Sequence, residues 1–232
     1  MTTLRNGRIL VPYTELSKAQ TVSTVKMLTS NDDGHAWNVI AINADLPLSW
    51  WVPYGKIIEA TNPDTLILPV FGAASPQQLE ATIHHCGLLR SQDGGEIWSD
   101  FSSVAHGGDQ VHGASKLSFF SFEAPSITPL SDGRWLAMVT GRRLNRSGDG
   151  PTTIDEGPGA PQVICRLWST DQGRTWTKPD LLAPGAYSSV VVIDNETLCA
   201  RTQWCAWGNL RIMTSRDGFE TFYQEMRLTT RE

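Results

Sequence analysis

One eight-residue pattern, S-x-D-x-G-x-x-W, occurs three times along this chain. Its copies are SNDDGHAW at 30–37, SQDGGEIW at 91–98 and STDQGRTW at 169–176, and a degenerate fourth, SRDGFETF, lies at 215–222. Four fixed residue types should recur by chance at roughly one start position in 10⁵. Three full matches in 232 residues therefore indicate a repeat protein.

The pattern has the chemistry of a tight turn between two strands, and we call each copy a box. Ser and Asp side chains accept hydrogen bonds from nearby backbone N–H groups, and Gly supplies a positive φ. A closing Trp buries a large ring against a sheet face. We therefore predict that Trp37, Trp98 and Trp176 are structural anchors, and that the repeated Ser and Asp residues serve the turn rather than catalysis.

The sequence around each box predicts a four-stranded antiparallel meander. In SITPLSDGRWLAMVTG, at 126–141, apolar runs lie on both sides of Asp132-Gly133, which is a strong hairpin signal. QVICRLW then leads into a box and TKPDLL leads out of it. In the first module Asn6-Gly7 is already the hairpin turn, so its innermost strand is predicted to be missing or supplied from elsewhere.

Four-stranded modules that repeat around a centre are typical of a β-propeller. We predict an all-β fold of one domain, 1–232, with modules at approximately 5–45, 52–104, 120–182 and 186–228. The segment 75–85 is predicted as a short helix or an ordinary loop. The Gly- and Pro-rich segment 144–161 is predicted as a long exposed loop.

Composition limits the partners of the chain. A formal net charge of −5 and a pI near 5.5 argue against nucleic acid and anionic membranes as general partners. No run approaches the 18 or so apolar residues of a membrane span. The start, MTTLRNGRILVPY, does not resemble a secretion signal, so the chain is predicted to be cytoplasmic unless it begins inside a longer precursor.

Cysteine and histidine spacing predicts neither a metal site nor a cofactor. The four cysteines, Cys86, Cys165, Cys199 and Cys205, form no CxxC pair. Buried free thiols are the favoured interpretation, and a Cys199–Cys205 disulfide is the alternative in an oxidising compartment. His84 and His85 are adjacent in a predicted strand, where neighbouring side chains point to opposite faces, so they are not expected to share a metal.

With its boxes, hairpins and their order, the chain resembles the sialidase (neuraminidase) superfamily, in which this repeated turn is called the Asp-box. The resemblance extends from about residue 5 to 225. It implies a six-bladed propeller, three arginines that bind the substrate carboxylate, an aspartate as acid/base, and a tyrosine nucleophile paired with a glutamate. Sialidases are exceptions to the two-carboxylate scheme of glycoside hydrolysis.

Two catalytic residues are carried over by the resemblance. Tyr187, in GAYSSVVVIDNETL, resembles the nucleophile segment, and FEAPSITPLSDGR at 122–134 is similar to the strand that carries the glutamate. Counting back from the hairpin places that glutamate at Ala124, whereas the carboxylate here is Glu123. One step along a strand reverses the face, so Glu123 requires a bulge to point inward.

The arginines match the family pattern less closely. The arginine expected at the end of the next strand falls at Thr140, and Arg142 and Arg143 follow two and three residues later. Arg201 is a further candidate ligand for an anionic sugar, whereas Arg211 is assigned to the outer strands. The first family arginine has no counterpart, and Glu15 is the one carboxylate in the segment where the acid/base aspartate is expected.

A separate polar cluster lies in the predicted inter-blade loop VAHGGDQVHGAS at 104–115. Its His106, Asp109 and His112 have the side chains of acid/base catalysis, and a polar surface loop is the alternative. We include Asp109 among the candidate catalytic residues.

These observations favour an exo-acting hydrolase for a terminal sialic acid or a similar acidic sugar, with Tyr187 as the nucleophile. One alternative is a non-catalytic propeller that binds a glycan or a protein. Another is a glycosidase that uses Asp109 and Glu123 as a carboxylate pair. Because four modules are fewer than six, the chain is predicted to be an incomplete propeller, a homo-oligomer or a closed four-bladed ring.

Overall fold

The computed structural model describes residues 1–18, 23–60, 62, 64–114, 119–145, 153–154, 162–193, 196–202, 210–222 and 224–228. Within these residues the chain is nearly all β, in four antiparallel sheets that we call blades one to four. The strands of blade one are β1 (Thr2–Thr3), β2 (Ile9–Leu16), β3 (Ser23–Ser30) and β4 (Asn38–Ala41). Those of blade two are β5 (Trp50–Pro53), β6 (Ile58–Glu59), β7 (Leu66–Ala73), β8 (His85–Ser91) and β9 (Ser99–Ala105).

Blades three and four repeat this plan. The strands of blade three are β10 (Phe119–Pro129), β11 (Trp135–Asn145), β12 (Thr153–Ile154), β13 (Val163–Ser169) and β14 (Asp180–Pro184). Those of blade four are β15 (Ala186–Ile193), β16 (Glu196–Thr202), β17 (Leu210–Ser215) and β18 (Gln224–Leu228). The first strand of each of blades two, three and four packs against strands of the preceding blade. The predicted all-β fold of four-stranded antiparallel blades is confirmed, and it forms a partial β-propeller.

Apolar side chains fill the spaces between consecutive blades. One buried cluster joins Leu4 and Leu10 of blade one to Leu66 and Leu89 of blade two. A second cluster lies between blades two and three, and a third between blades three and four. Burial of the apolar sheet faces between blades supplies the main stabilisation, because an isolated sheet would expose both of its faces to water.

Every box connects the last two strands of its blade, and the four turns share one set of hydrogen bonds. The Ser hydroxyl donates to the Asp carboxylate at 2.7 Å in each box. The fifth residue donates its N–H to the same Ser oxygen at 2.8–2.9 Å. That residue has a positive φ in all four boxes, and in the fourth box Phe219 occupies this conformation, with φ 66°, in place of Gly.

The tryptophans of the boxes differ in burial. In each of the three full boxes the indole N–H donates to the Gly carbonyl of its own turn, at 2.9–3.2 Å. Trp98 is 2% exposed and Trp176 is partly buried, but Trp37 is 41% exposed. The expectation that Trp37 is buried is therefore wrong, because Trp37 lacks the cover that Trp98 gains from the core between blades one and two.

Blades also bind the box of the next blade through arginine. Arg8 of blade one donates to the Gly94 carbonyl at 2.8 Å, and Arg134 of blade three donates to the Asp217 carbonyl at 3.2 Å. Arg90 of blade two donates to the Gln172 and Gly173 carbonyls of box three. Box one has no preceding blade among the described residues.

Three local expectations are resolved by the structure. The innermost strand of the first module, predicted to be missing or supplied from elsewhere, is present as the two-residue β1, which pairs with β2. A short helix, α1 (Pro76–Glu80), forms within 75–85, and its N-cap Ser75 accepts a hydrogen bond from the N–H of Gln78. Within the predicted loop 144–161, β12 pairs with β11, while 146–152 and 155–161 lie outside the described residues.

Cys86 and Cys165 are buried free thiols. Cys199 is also buried, with its Sγ 3.1 Å from Met138 Sδ, and Cys205 lies outside the described residues. The described part of the chain contains no group of three metal-ligating side chains. It also contains no helix with the length and apolar character needed to cross a membrane.

Candidate functional site

A β-bulge in β10 lies directly after Glu123, whose carboxylate meets Arg142 of blade three and His84 of blade two. The pairing of β10 with β11 shifts register between Glu123 and Ser126, and Ala124 adopts a left-handed φ of 54°. This is the irregularity that the sequence required for an inward-pointing carboxylate. Glu123 is consequently 6% exposed and faces other side chains rather than solvent.

Tyr187 is placed by a second bulge, at the start of β15. Its φ is also 54°, and the pairing of β15 with β16 shifts register between Ala186 and Ser189. The N–H of Tyr187 donates to Thr140 Oγ1 at 2.8 Å, and Thr140 is the cross-strand partner of Glu123. The two bulges therefore bring a buried carboxylate and a 40% exposed phenol to the same place.

Arg142 connects these two side chains. Its Nε donates to Glu123 Oε1 at 2.6 Å, and its Nη2 donates to the Tyr187 hydroxyl oxygen at 3.1 Å. Nε and Nη2 lie on one edge of the guanidinium, the edge that binds planar anions through two parallel hydrogen bonds. The phenol oxygen and the carboxylate oxygen are consequently neighbours along that edge. With its amide oxygen facing the guanidinium, Gln162 accepts from the same two nitrogens at 2.9 and 3.2 Å.

The charges of the site stabilise one another. Burial alone would raise the pKa of Glu123, but His84 and the Arg142 guanidinium outweigh burial and hold that pKa below its usual value. Burial would likewise lower the pKa of Arg142, yet Glu123 and Tyr187 raise it. Glu123 is therefore ionised at neutral pH and Arg142 is cationic. The nearby Tyr54 has a raised pKa, because it is partly buried and lies near Tyr187 and Glu123.

Aromatic side chains of blade two surround His84, which contacts Glu123. His84, which immediately precedes β8, stacks on Trp50 with a centroid separation of 5.6 Å and an interplanar angle of 21°. Phe71 meets the His84 ring edge-on at 5.6 Å, and Tyr54 meets Phe71 in the same way at 6.1 Å. His84 Nδ1 lies 3.7 Å from Glu123 Oε2, so three blades contribute to one cluster.

The other candidate arginines are not part of this cluster as described. Arg143 is exposed, and as the strand neighbour of Arg142 it projects to the opposite face of β11. The backbone of Arg201 lies in β16, opposite Arg211, while the side chain of Arg201 lies outside the described residues.

The predicted loop cluster is divided. The His106 ring lies 4.3 Å from the His85 ring, whereas His112 Nδ1 lies 2.7 Å from Asp180 Oδ1. Asp109 is exposed and lines a cavity of about 680 Å³ together with Lys178. The described lining of that cavity includes neither Glu123 nor Tyr187. His112 lines the same cavity as Asp109, whereas the His106 ring packs against His85, so the three side chains do not form one cluster. A catalytic role for Asp109 stays a prediction.

Sequence reasoning missed His84, Tyr54, Thr140 and Gln162 as parts of the site. His84 was considered only as a metal ligand, although strand alternation already placed it on the face opposite His85. The register of the bulge in β10 was the missing information, because it decides which blade-two side chains meet Glu123. No signal in the sequence singled out Gln162.

Comparison of this geometry with known proteins defines the fold. No protein-family model matches the chain, and no curated protein matches it significantly. Among solved structures, a Dyadobacter fermentans protein of unknown function has a TM-score of 0.66 at 18% identity, covering 99% of this chain and 63% of that one. A Hadza microbial sialidase has a TM-score of 0.59 at 16% identity, with coverage of 96% and 43%.

An ulvan lyase, which is a polysaccharide lyase, has a TM-score of 0.60 at 10% identity and covers 96% of this chain and 56% of its own. The chain thus spans less than two thirds of the length of each of these structures. At such low identities the likeness concerns the fold. The chain has a sialidase-like fold.

Proposed function

We propose that this chain is a sialidase-like glycoside hydrolase domain that removes a terminal sialic acid or a similar acidic sugar from a glycan. The observation that carries the proposal is the arrangement of Tyr187, Arg142 and Glu123, in which one guanidinium edge holds a phenol oxygen beside a carboxylate. The partly exposed phenol is accessible to a ligand, while the carboxylate behind it is buried.

In the proposed reaction Tyr187 attacks the anomeric carbon of the sugar. A bond forms between the phenol oxygen and that carbon, the phenolic proton passes to ionised Glu123, and the bond to the leaving-group oxygen breaks. Arg142 stabilises the negative charge that develops on the phenol oxygen. Water then attacks the anomeric carbon as the bond to the phenol oxygen breaks, the water proton balances the one that the leaving-group oxygen takes up, and Glu123 returns its proton to Tyr187. A neutral phenol suits an anionic substrate, since a carboxylate nucleophile would repel it.

The carboxylate of the substrate would be bound by arginine. Arg142 is the candidate nearest the nucleophile, and Arg143 and Arg201 remain predicted ligands. A guanidinium binds a carboxylate with two hydrogen bonds and retains its charge at any physiological pH. Asp109 remains a predicted catalytic residue only for a chemistry that works at the separate loop cavity.

A fluorogenic sialoside tests the proposal directly. We expect the purified chain to release the fluorophore and Tyr187→Phe to lose at least about 10²-fold in kcat/KM, because the nucleophile is gone. Tyr13→Phe, the same change on a tyrosine of blade one, is the matched control and should retain full activity. No turnover by the parent, or equal turnover by parent and Tyr187→Phe, contradicts the proposal.

A non-catalytic glycan-binding propeller is the second candidate, and the position of Glu15 favours it. Glu15 is exposed and forms an ion pair with Lys26 at 2.8 Å within blade one, so it is engaged away from Tyr187 and Glu123. The acid/base aspartate implied by the family resemblance therefore has no counterpart there. Binding of sialylated glycans on an array without hydrolysis identifies this second function, and an unsaturated sugar product would instead identify elimination.

A further inference from the structure

His84 is held rigidly between blades two and three. Its backbone N–H donates to Ser121 Oγ at 2.8 Å, and its backbone carbonyl accepts from the N–H of Phe122 at 3.0 Å. Its ring lies flat against Trp50 and is only 12% exposed. A histidine fixed in this way keeps one ring orientation relative to Glu123, which is next to Phe122 in β10.

The buried nitrogen of this ring has no hydrogen-bond partner among the described residues. Nδ1 of His84 is fully buried, and the group that faces it is Glu123 Oε2, at 3.7 Å. Buried polar atoms are normally paired, so an unpaired one at a cluster of ionisable groups indicates a functional site. A carboxylate facing Nδ1 favours the tautomer that carries a proton on Nδ1, which leaves the lone pair of Nε2 available for proton exchange.

The adjacent histidine shows what a structural role looks like. Both nitrogens of His85 are used, because Nε2 lies 2.8 Å from Gln78 Oε1 and Nδ1 accepts from the N–H of Gly107 at 3.0 Å. Burial lowers the pKa of His85 to about 4, so it remains neutral at physiological pH. His84 differs in its contacts, since its Nδ1 has no hydrogen-bond partner among the described residues and faces a carboxylate.

We propose that His84 is the catalytic acid of this site, an inference that rests on the proposed glycosidase function. As the glycosidic bond breaks, the electron pair goes to the leaving oxygen and the proton of the His84 imidazolium goes to the same oxygen from Nε2. Glu123 stabilises the imidazolium through Nδ1. Neutral His84 then deprotonates the water that releases the sugar from Tyr187, and it recovers its proton. This assigns the acid/base role for which the sequence between β2 and β3 offers no aspartate.

The test compares two leaving groups, because only one of them needs an acid. A phenol-type fluorophore departs as a stable anion, whereas a sugar hydroxyl must be protonated as it leaves. In His84→Gln we expect kcat for a sialyl-oligosaccharide to fall by about 10²-fold or more. The single-turnover rate constant for release of the fluorophore from the fluorogenic sialoside should change only a few-fold. His84→Phe, which preserves stacking on Trp50, should show the same selectivity.

The control is His35→Gln, which changes an exposed histidine of box one and should behave as the parent does. Equal loss on both substrates in folded His84→Gln and His84→Phe, or no loss on either, overturns the role of His84 and leaves the proposed function standing. No turnover of either substrate by the parent overturns the proposed function and the role of His84 together.

Discussion

The four boxes and the site at Tyr187 use the same unusual backbone conformation for different ends. In the boxes the fourth and fifth residues both have a positive φ, which falls on glycine at five of the eight positions, and the Ser and Asp oxygens have hydrogen-bond partners. At the site it falls on Ala124 and Tyr187, which are not glycines. His84 Nδ1 and Trp50 Nε1 are moreover buried there without a partner among the described residues.

This difference suggests that different residues determine the stability of the fold and the activity of the site. A left-handed conformation in a residue with a side chain costs about 1–3 kcal/mol and persists where the surrounding structure imposes it. Proteins tend to break local rules at functional sites and to follow them elsewhere. The boxes therefore should govern the free energy of unfolding, and the site should govern activity with little effect on unfolding.

Trp98→Ala should have the largest effect on stability. The Trp98 ring is 2% exposed and packs in the core between blades one and two, so its removal leaves a cavity. We expect the free energy of unfolding to fall by about 3–5 kcal/mol, measured by urea denaturation. A loss below about 1 kcal/mol would show that the boxes do not anchor the blades.

Arg90→Met should have the next largest effect. Arg90 is 4% exposed, and its guanidinium donates to the carbonyls of Gln172 and Gly173 at 3.2 and 2.9 Å and to Ser102 Oγ at 2.8 Å. Met preserves most of the volume but none of these bonds, so we expect a loss of about 2 kcal/mol. Lys56→Met, at an exposed position of the same blade, is the control and should stay within about 0.5 kcal/mol of the parent. Equal stability of Arg90→Met and the parent would indicate that contacts between blades do not depend on arginine.

The boxes were predictable from sequence because their geometry is local. Ser, Asp and Gly at fixed spacing determine the turn by themselves, and the alternation of apolar runs with hairpin signals predicts the strands. The exposure of Trp37 was not predictable, since it depends on which blade lies next to the box. The direction of Glu123 was not predictable either, because it depends on a bulge at Ala124 that no residue type indicates. The role of His84 can be recognised only when that direction is known.

Trp37→Ala tests whether burial rather than the turn itself stabilises a box. Its indole makes the same hydrogen bond as that of Trp98, but the ring is 41% exposed. We expect a loss of about 1 kcal/mol or less by urea denaturation, because little apolar surface returns to water. A loss equal to that of Trp98→Ala would mean that the hydrogen bond within the turn, and not the packing between blades, carries the energy.

Tyr187→Phe should change stability least of all. The change removes one hydroxyl, whose bond from Arg142 Nη2 lies at an exposed phenol, and Arg142 keeps its ion pair with Glu123 at 2.6 Å. The N–H of Tyr187 still donates to Thr140, so the bulge that places the ring is retained. We expect a change within about 0.5 kcal/mol in urea denaturation, in a variant that has lost its sialoside turnover. A destabilisation comparable to that of Arg90→Met would assign Tyr187 a structural role and remove the contrast between the site and the boxes.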